Sequence, residues 1–198
     1  MMLRFIKREI GDLVKSWLII SFAFAILISI EDIYALRPSW TMLIAFGIAL
    51  LTAGIGFLLH ELGHKFVAQK FKCHAEFFSD NMMLVLAVIM SFFGFIFAAP
   101  GAVHIRGTIN KRENGLISAA GPFMNILLSI AFLPGMFLFK GLLGSFFAYG
   151  FMINSWLALF NMIPAGQFDG AKIYAWDKLI YAIMAITSLA FVIFGIFF

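Results

Sequence analysis

Charged residues punctuate this chain sparsely, and the segments between them are almost wholly apolar. Six uncharged stretches run over residues 16–30, 40–59, 81–103, 114–139, 141–168 and 179–198. About 20 apolar residues in a helix cross a hydrocarbon core of roughly 30 Å, so five of the six are long enough to span. The first is short, but Lys15 can snorkel, and Trp17 or Tyr34 can sit at an interface. No tandem repeat, linker or low-complexity segment interrupts the pattern. The expected fold is therefore an all-α integral membrane protein, a polytopic helix bundle of five to six transmembrane segments. A single membrane domain is expected over residues 1–198.

Composition narrows the picture further. Hydrophobic residues make up 63% of the chain and charged residues 12%, whereas an average soluble domain carries about 25% charged residues. A soluble core of this size could not hide 26 Phe and 11 Met. Disorder, collagen, nucleic-acid binding by a basic arm and disulfide scaffolds are excluded, and no nucleic-acid partner is expected. The single Cys73 has no partner for an intramolecular bridge. Arg4, Lys7 and Arg8 precede an apolar run that lacks a small-residue cleavage site, which reads as an uncleaved first helix. Paired aromatics such as Phe92-Phe93, together with Phe95 and Phe97, read as packing or lipid-facing residues.

The net charge of +4 reports orientation. Arg4, Lys7, Arg8 and Lys15 place the N-terminus inside, and Lys65, Lys70 and Lys72 follow the second helix on the same side. If residues 81–103 crossed, then His104, Arg106, Lys111 and Arg112 would lie outside, against the bias. A re-entrant or hairpin element around 81–103 keeps them inside, and Gly94, Pro100 and Gly101 supply the backbone breaks it needs. Lys172 and Lys178 then also fall inside.

The ionisable inventory is small and concentrated. His60-Glu61-Leu62-Gly63-His64 closes the second hydrophobic stretch. Four-residue spacing puts both imidazoles on one helix face, where they can share a metal ion, and Glu61 stands beside them as a candidate proton acceptor. Three such groups at the end of an apolar helix are expensive without a function. A third ligand must be His, Asp or Glu. Glu76, Asp80 and Glu113 have suitable sidedness but no distinctive context. Asp169 follows a long uncharged run within Asn161-Met-Ile-Pro164-Ala-Gly166-Gln-Phe-Asp169-Gly170. Its proline and glycines can unwind the helix end and turn the carboxylate toward the histidines. Two other readings use the same residues. One is a membrane metal transporter, which would need a path across and usually a repeated half. The other is a zinc-binding inactive scaffold, which has no need of Glu61.

The pairing of HELGH on one helix with Asn161…Pro164…Asp169-Gly170 on a later one resembles the site-2 protease family of intramembrane zinc metalloproteases. Ala120-Gly121-Pro122-Phe-Met-Asn125 is similar to that family's third recurring element. The resemblance implies one zinc ion held by His60, His64 and Asp169, with Glu61 as the catalytic acid/base. It implies a catalytic core over 41–172, with a peripheral first helix in 1–40 and a peripheral last helix in 173–198. No stretch could form the PDZ domain of some members, so a minimal form is implied. Gln167 stands where family members commonly have a second proline, leaving the helix break to Pro164 and Gly166. The implied substrate is a transmembrane protein or peptide, within a lipid bilayer. Asn125 and Asn161 are candidates for oxyanion stabilisation or substrate positioning. A substrate helix must be unwound before attack, and Pro100, Gly101, Ala102 and Val103 could offer it a strand edge. The expected location is the plasma membrane of a prokaryote, with the site toward the cytoplasmic face.

Overall fold

A computed structural model describes residues 4–37, 40–96 and 100–198; Phe97 lies outside the described residues. The apolar stretches become helices: α1 (Lys7–Ile28), α2 (Ile30–Tyr34), α3 (Trp40–Ala49), α4 (Ile55–Lys70), α5 (Asn81–Ser91), α6 (Lys111–Leu138), α7 (Gly141–Asn161), α8 (Asp169–Trp176) and α9 (Lys178–Phe197). A π-helical turn, Leu50–Gly54, joins α3 to α4 without a break, so Trp40–Lys70 is one rod. Among the described residues, five segments are long and apolar enough to cross a membrane: α1, the Trp40–Lys70 rod, α6, α7 and α9. This is a multi-pass helical membrane protein. Helix starts are set by local chemistry. Asn110 and Glu113 form a reciprocal capping box on α6, while Asp80 and Asp177 cap α5 and α9 through their carboxylates.

Helices are joined by one small sheet of β1 (His74–Ser79) and β2 (Gly101–Arg106). Gly101 lies against Phe78 and Gly107 against Cys73, so the strands run antiparallel. The segment between them holds one short helix. α5 has 11 residues, about 16 Å at 1.5 Å per residue, roughly half the depth of a hydrocarbon core. The amide of Asp80 donates to the carbonyl of Pro100 at 3.0 Å, so the excursion starts and ends at one place.

The chain divides into two compact units. One comprises Arg4–Leu58 and Glu76–His104. Within it α1 packs on α3 and α5, burying Ile20 and Ala23 against Leu84 and Ala87, and Ala25 against Ala45 and Ala49. The polar start of α1 grips β1: Glu9 Oε1 accepts from the Phe77 amide at 3.0 Å, Asp12 accepts from Ser79, and Arg8 lies over the Phe78 ring. The other unit comprises Leu59–Ala75 and Ile105–Phe198. There α6 packs along α7, α8 and α9 around Ile126, Ala158, Met162, Ile173 and Met184.

Two details differ from the sequence reading. The HELGH segment does not close its helix, which continues to Lys70. Lys65 is not a solvated topology signal: it is buried, and its Nζ donates to the Ala75 carbonyl at 2.7 Å.

Candidate metal centre

The second unit brings three polar side chains to one point. α4 carries His60 and His64 one turn apart, with ring centroids 4.7 Å from each other. Asp169 arrives as the first residue of α8. α7 stops at Asn161, and Gly166 takes a left-handed φ of +59° in the turn after Pro164. Gly170 seats that turn. A Cβ there would overlap the Met162 carbonyl and stand 2.8 Å from the Ile163 oxygen. The result is a small triangle: His60 Nε2 to His64 Nε2 is 3.0 Å, and Asp169 Oδ2 is 3.1 Å from His64 Nε2 and 3.4 Å from His60 Nε2. All three residues and Glu61 are buried, with 7–8% of their surface exposed.

The far side of each imidazole decides what the near side presents. His64 Nδ1 lies 2.8 Å from the Ile117 carbonyl, which can only accept, so this nitrogen carries the proton. His60 Nδ1 lies 2.7 Å from Asn125 Oδ1, which sets the same tautomer. With both rings neutral, as metal binding requires, the two Nε2 atoms turn lone pairs toward each other and toward a carboxylate. Such a cluster is stable only with positive charge in its midst.

The donor set fits a metal. A tetrahedral zinc ion with bonds of about 2.0–2.2 Å keeps its ligand atoms about 3.3 Å apart, and the three observed edges match that spacing. Space is left for it by Gly121 of α6. A Cβ there would overlap His64 Nε2 and lie 2.6 Å from His60 Nε2, filling the point on which the donors converge. Gly63 similarly lets α4 approach the Ala120 carbonyl, since a Cβ there would be 2.8 Å from it. His60, His64 and Asp169 thus form a buried group that could hold one metal ion. Two imidazoles and a carboxylate suit zinc and leave a fourth position open.

The remaining expected site residues lie as follows. Glu61 is buried on α4 next to His60. Asn125, on α6, lies behind His60 at Nδ1, on the opposite edge of the ring from the triangle. Asn161 donates its amide to Leu157 within its own helix. Pro100 precedes β2 and bonds Asp80 through its carbonyl, and Gly101, Ala102 and Val103 lie within β2. His104 packs on Phe78 in the other unit, and His74 is exposed on β1. Sequence reasoning missed three contributors: Gly121 as a spacer, the Ile117 carbonyl, and Asn154, which accepts from Asn125 Nδ2 at 3.0 Å. Only Asn154 carried a usable signal, since an amide within an apolar run is costly without a partner. Lys172 places its Nζ 3.9 Å from Asp169 Oδ1, the oxygen turned away from the histidines.

No protein-family model and no solved structure matches the chain. Two curated proteins do. "Putative zinc metalloprotease MJ0611" of Methanocaldococcus jannaschii is 38% identical over 198 residues, covering 98% of this chain and 97% of that protein. "Putative zinc metalloprotease YwhC" of Bacillus subtilis is 30% identical over 153 residues, covering 62% of this chain and 65% of that protein. With similarity to the archaeal protein running almost end to end, this chain belongs to its family, which carries the zinc metalloprotease name.

Proposed function

We propose that this protein is an intramembrane zinc metalloprotease of the site-2 type, hydrolysing peptide bonds of transmembrane substrate helices in regulated intramembrane proteolysis. The observation that carries the reading is the convergence of His60 Nε2, His64 Nε2 and Asp169 Oδ2 within 3.4 Å, buried among apolar helices and adjoined by Glu61. The names of the two relatives support it. Bound zinc supplies a Lewis acid that polarises a carbonyl and brings a water pKa towards 7. His60, His64 and Asp169 would hold the ion. Glu61 takes the proton from water and returns it to the leaving amine. Asn125 fixes His60 from behind, which is a positioning task, and Asn161 lies at the end of α7 where the turn to Asp169 begins. The catalytic core is 41–172, with the first and last helices peripheral.

The sheet supports a way to hold an unwound substrate. Asp80 pairs with Pro100, so alternation in an antiparallel pair turns Ala102 and His104 toward β1 and the backbone of Gly101 and Val103 outward. On β1 the outward groups of Ala75 and Phe77 are already taken by Lys65 and Glu9. The outer edge of β2 is the one that receives an extended segment in this reading. The positive-inside bias sets the metal end of the bundle toward the cytoplasm of a prokaryotic plasma membrane.

Incubating the detergent-purified chain with a transmembrane substrate tests the proposal. Cleavage should require metal, stop with chelator, and vanish in Glu61→Gln while zinc content stays at one per chain. Absence of metal-dependent cleavage, or undiminished cleavage by Glu61→Gln, overturns it. Metal transport that survives Glu61→Gln would favour the transporter reading.

A further inference from the structure

Two amides behind His60 form a relay with a defined sense. The Asn154 side chain lies 2.8 Å from the Gly150 carbonyl, one turn back on α7. A carbonyl can only accept, so the atom facing it is Nδ2. Asn154 must then turn Oδ1 toward α6, where Asn125 meets it with Nδ2 at 3.0 Å. Asn125 is left with Oδ1 toward His60, 2.7 Å from Nδ1. Each amide has unlike ends, so fixing one end fixes the other. Both asparagines are fully buried, with no solvent to offer alternative partners.

We infer that Asn154 is a positioning residue for the metal ligand His60: through Asn125 it keeps the imidazole proton on Nδ1 and leaves Nε2 free to bind metal. The inference rests on the metal site proposed above and extends it to a residue that touches neither metal nor ligand. Plain interhelical adhesion is not sufficient to explain the pair. α6 and α7 are already tied by Ser155 donating to Ser129 at 3.1 Å, and Ser129 bonds the Asn125 carbonyl at 3.0 Å. What Asn154 adds is direction. Without its oxygen, the buried Nδ2 of Asn125 loses the acceptor on α7, and a half-turn of the amide gives it another in His60 Nδ1. The imidazole proton then moves to Nε2, the atom the metal needs. Partners behind a metal-bound histidine typically account for 10–100-fold in affinity.

The chain holds four histidines, so selective ¹⁵N-histidine labelling of the full-length protein in detergent resolves each ring. In the metal-free wild type, His60 should carry a proton on Nδ1; a bare Nδ1 there overturns the inference without any variant. In Asn154→Leu, Nδ1 should lose that proton and zinc affinity should fall about 10–100-fold. The double variant Asn125→Asp/Asn154→Leu is the rescue. A carboxylate presents only acceptors whichever way it turns, so zinc affinity should return to within about threefold of wild type. Unchanged zinc affinity in Asn154→Leu, or a double variant as weak as the single one, overturns the relay. If wild type takes up no zinc while Nδ1 responds to Asn154→Leu, the relay stands and the metal reading falls. If zinc binds but Nδ1 ignores residue 154, the metal reading stands and the relay falls.

Discussion

At Gly121 the missing side chain is the functional feature. The backbone of α6 passes so close to the imidazoles that one added methyl would occupy the point between them. Alanine is a better helix former than glycine by about 1 kcal/mol, so Gly121→Ala has no reason to weaken α6 itself. We expect it to remove zinc, measured by atomic absorption, while circular dichroism shows full helix content; a variant that keeps one zinc per chain contradicts the geometry. The three converging residues were legible in the sequence, because the spacing of His60 and His64 and the Pro-Gly-rich approach to Asp169 are local patterns. Asn125 was legible as an important amide but not in its role. Whether it faces the metal or the back of His60 depends on how α4 and α6 are phased, which spacing along one helix does not encode. The same is true of Gly121 and Asn154, whose partners lie 29 or more residues away in sequence.

Among the elements, the rod carrying the histidines and the two strands show where pattern reading stops. Apolar continuity announced the rod, but nothing in composition announced the π-helical turn Leu50–Gly54, which re-phases the helix ahead of the histidines. Its irregular backbone is supported from α1, where the Trp17 indole donates to the Leu50 carbonyl at 3.0 Å. The strands were equally quiet: β2 was singled out as a possible edge from Pro100-Gly101, whereas β1 declared itself only by pairing. Because Val103 points its amide away from β1, proline there deletes a donor on the outer edge and leaves the β1–β2 ladder intact. Val103→Pro should suppress cleavage of a transmembrane substrate with zinc content unchanged. Cleavage at the wild-type rate would remove the strand edge from the mechanism.

At the scale of the whole molecule, the number of crossings decides which end of each helix meets which face of the bilayer. Five spans with a re-entrant segment between the second and third would put Lys70 and Arg112 on the same side, with Lys140 opposite. Charge counting favours this arrangement because His104, Arg106, Lys111 and Arg112 would otherwise violate the inward bias. The division into two compact units was not legible, since no linker or composition shift marks it. With the buried Cys73 replaced by serine, single cysteines at positions 70, 112 and 140 can be labelled with a membrane-impermeant reagent in oriented vesicles. Positions 70 and 112 should react from one side and 140 from the other. Labelling of 140 from the same side as 70, with 112 reacting from the other, would mean that residues 81–103 cross.

All of these expectations depend on one ion held by side chains from α4 and α8. X-ray absorption at the zinc edge of the purified protein reads that directly. The predicted spectrum is one zinc per chain with two imidazole nitrogens at about 2.0–2.1 Å and carboxylate oxygen at about 2.0–2.2 Å, a shell that Asp169→Ala alters. A protein that binds no zinc, or a zinc shell indifferent to residue 169, would contradict the account.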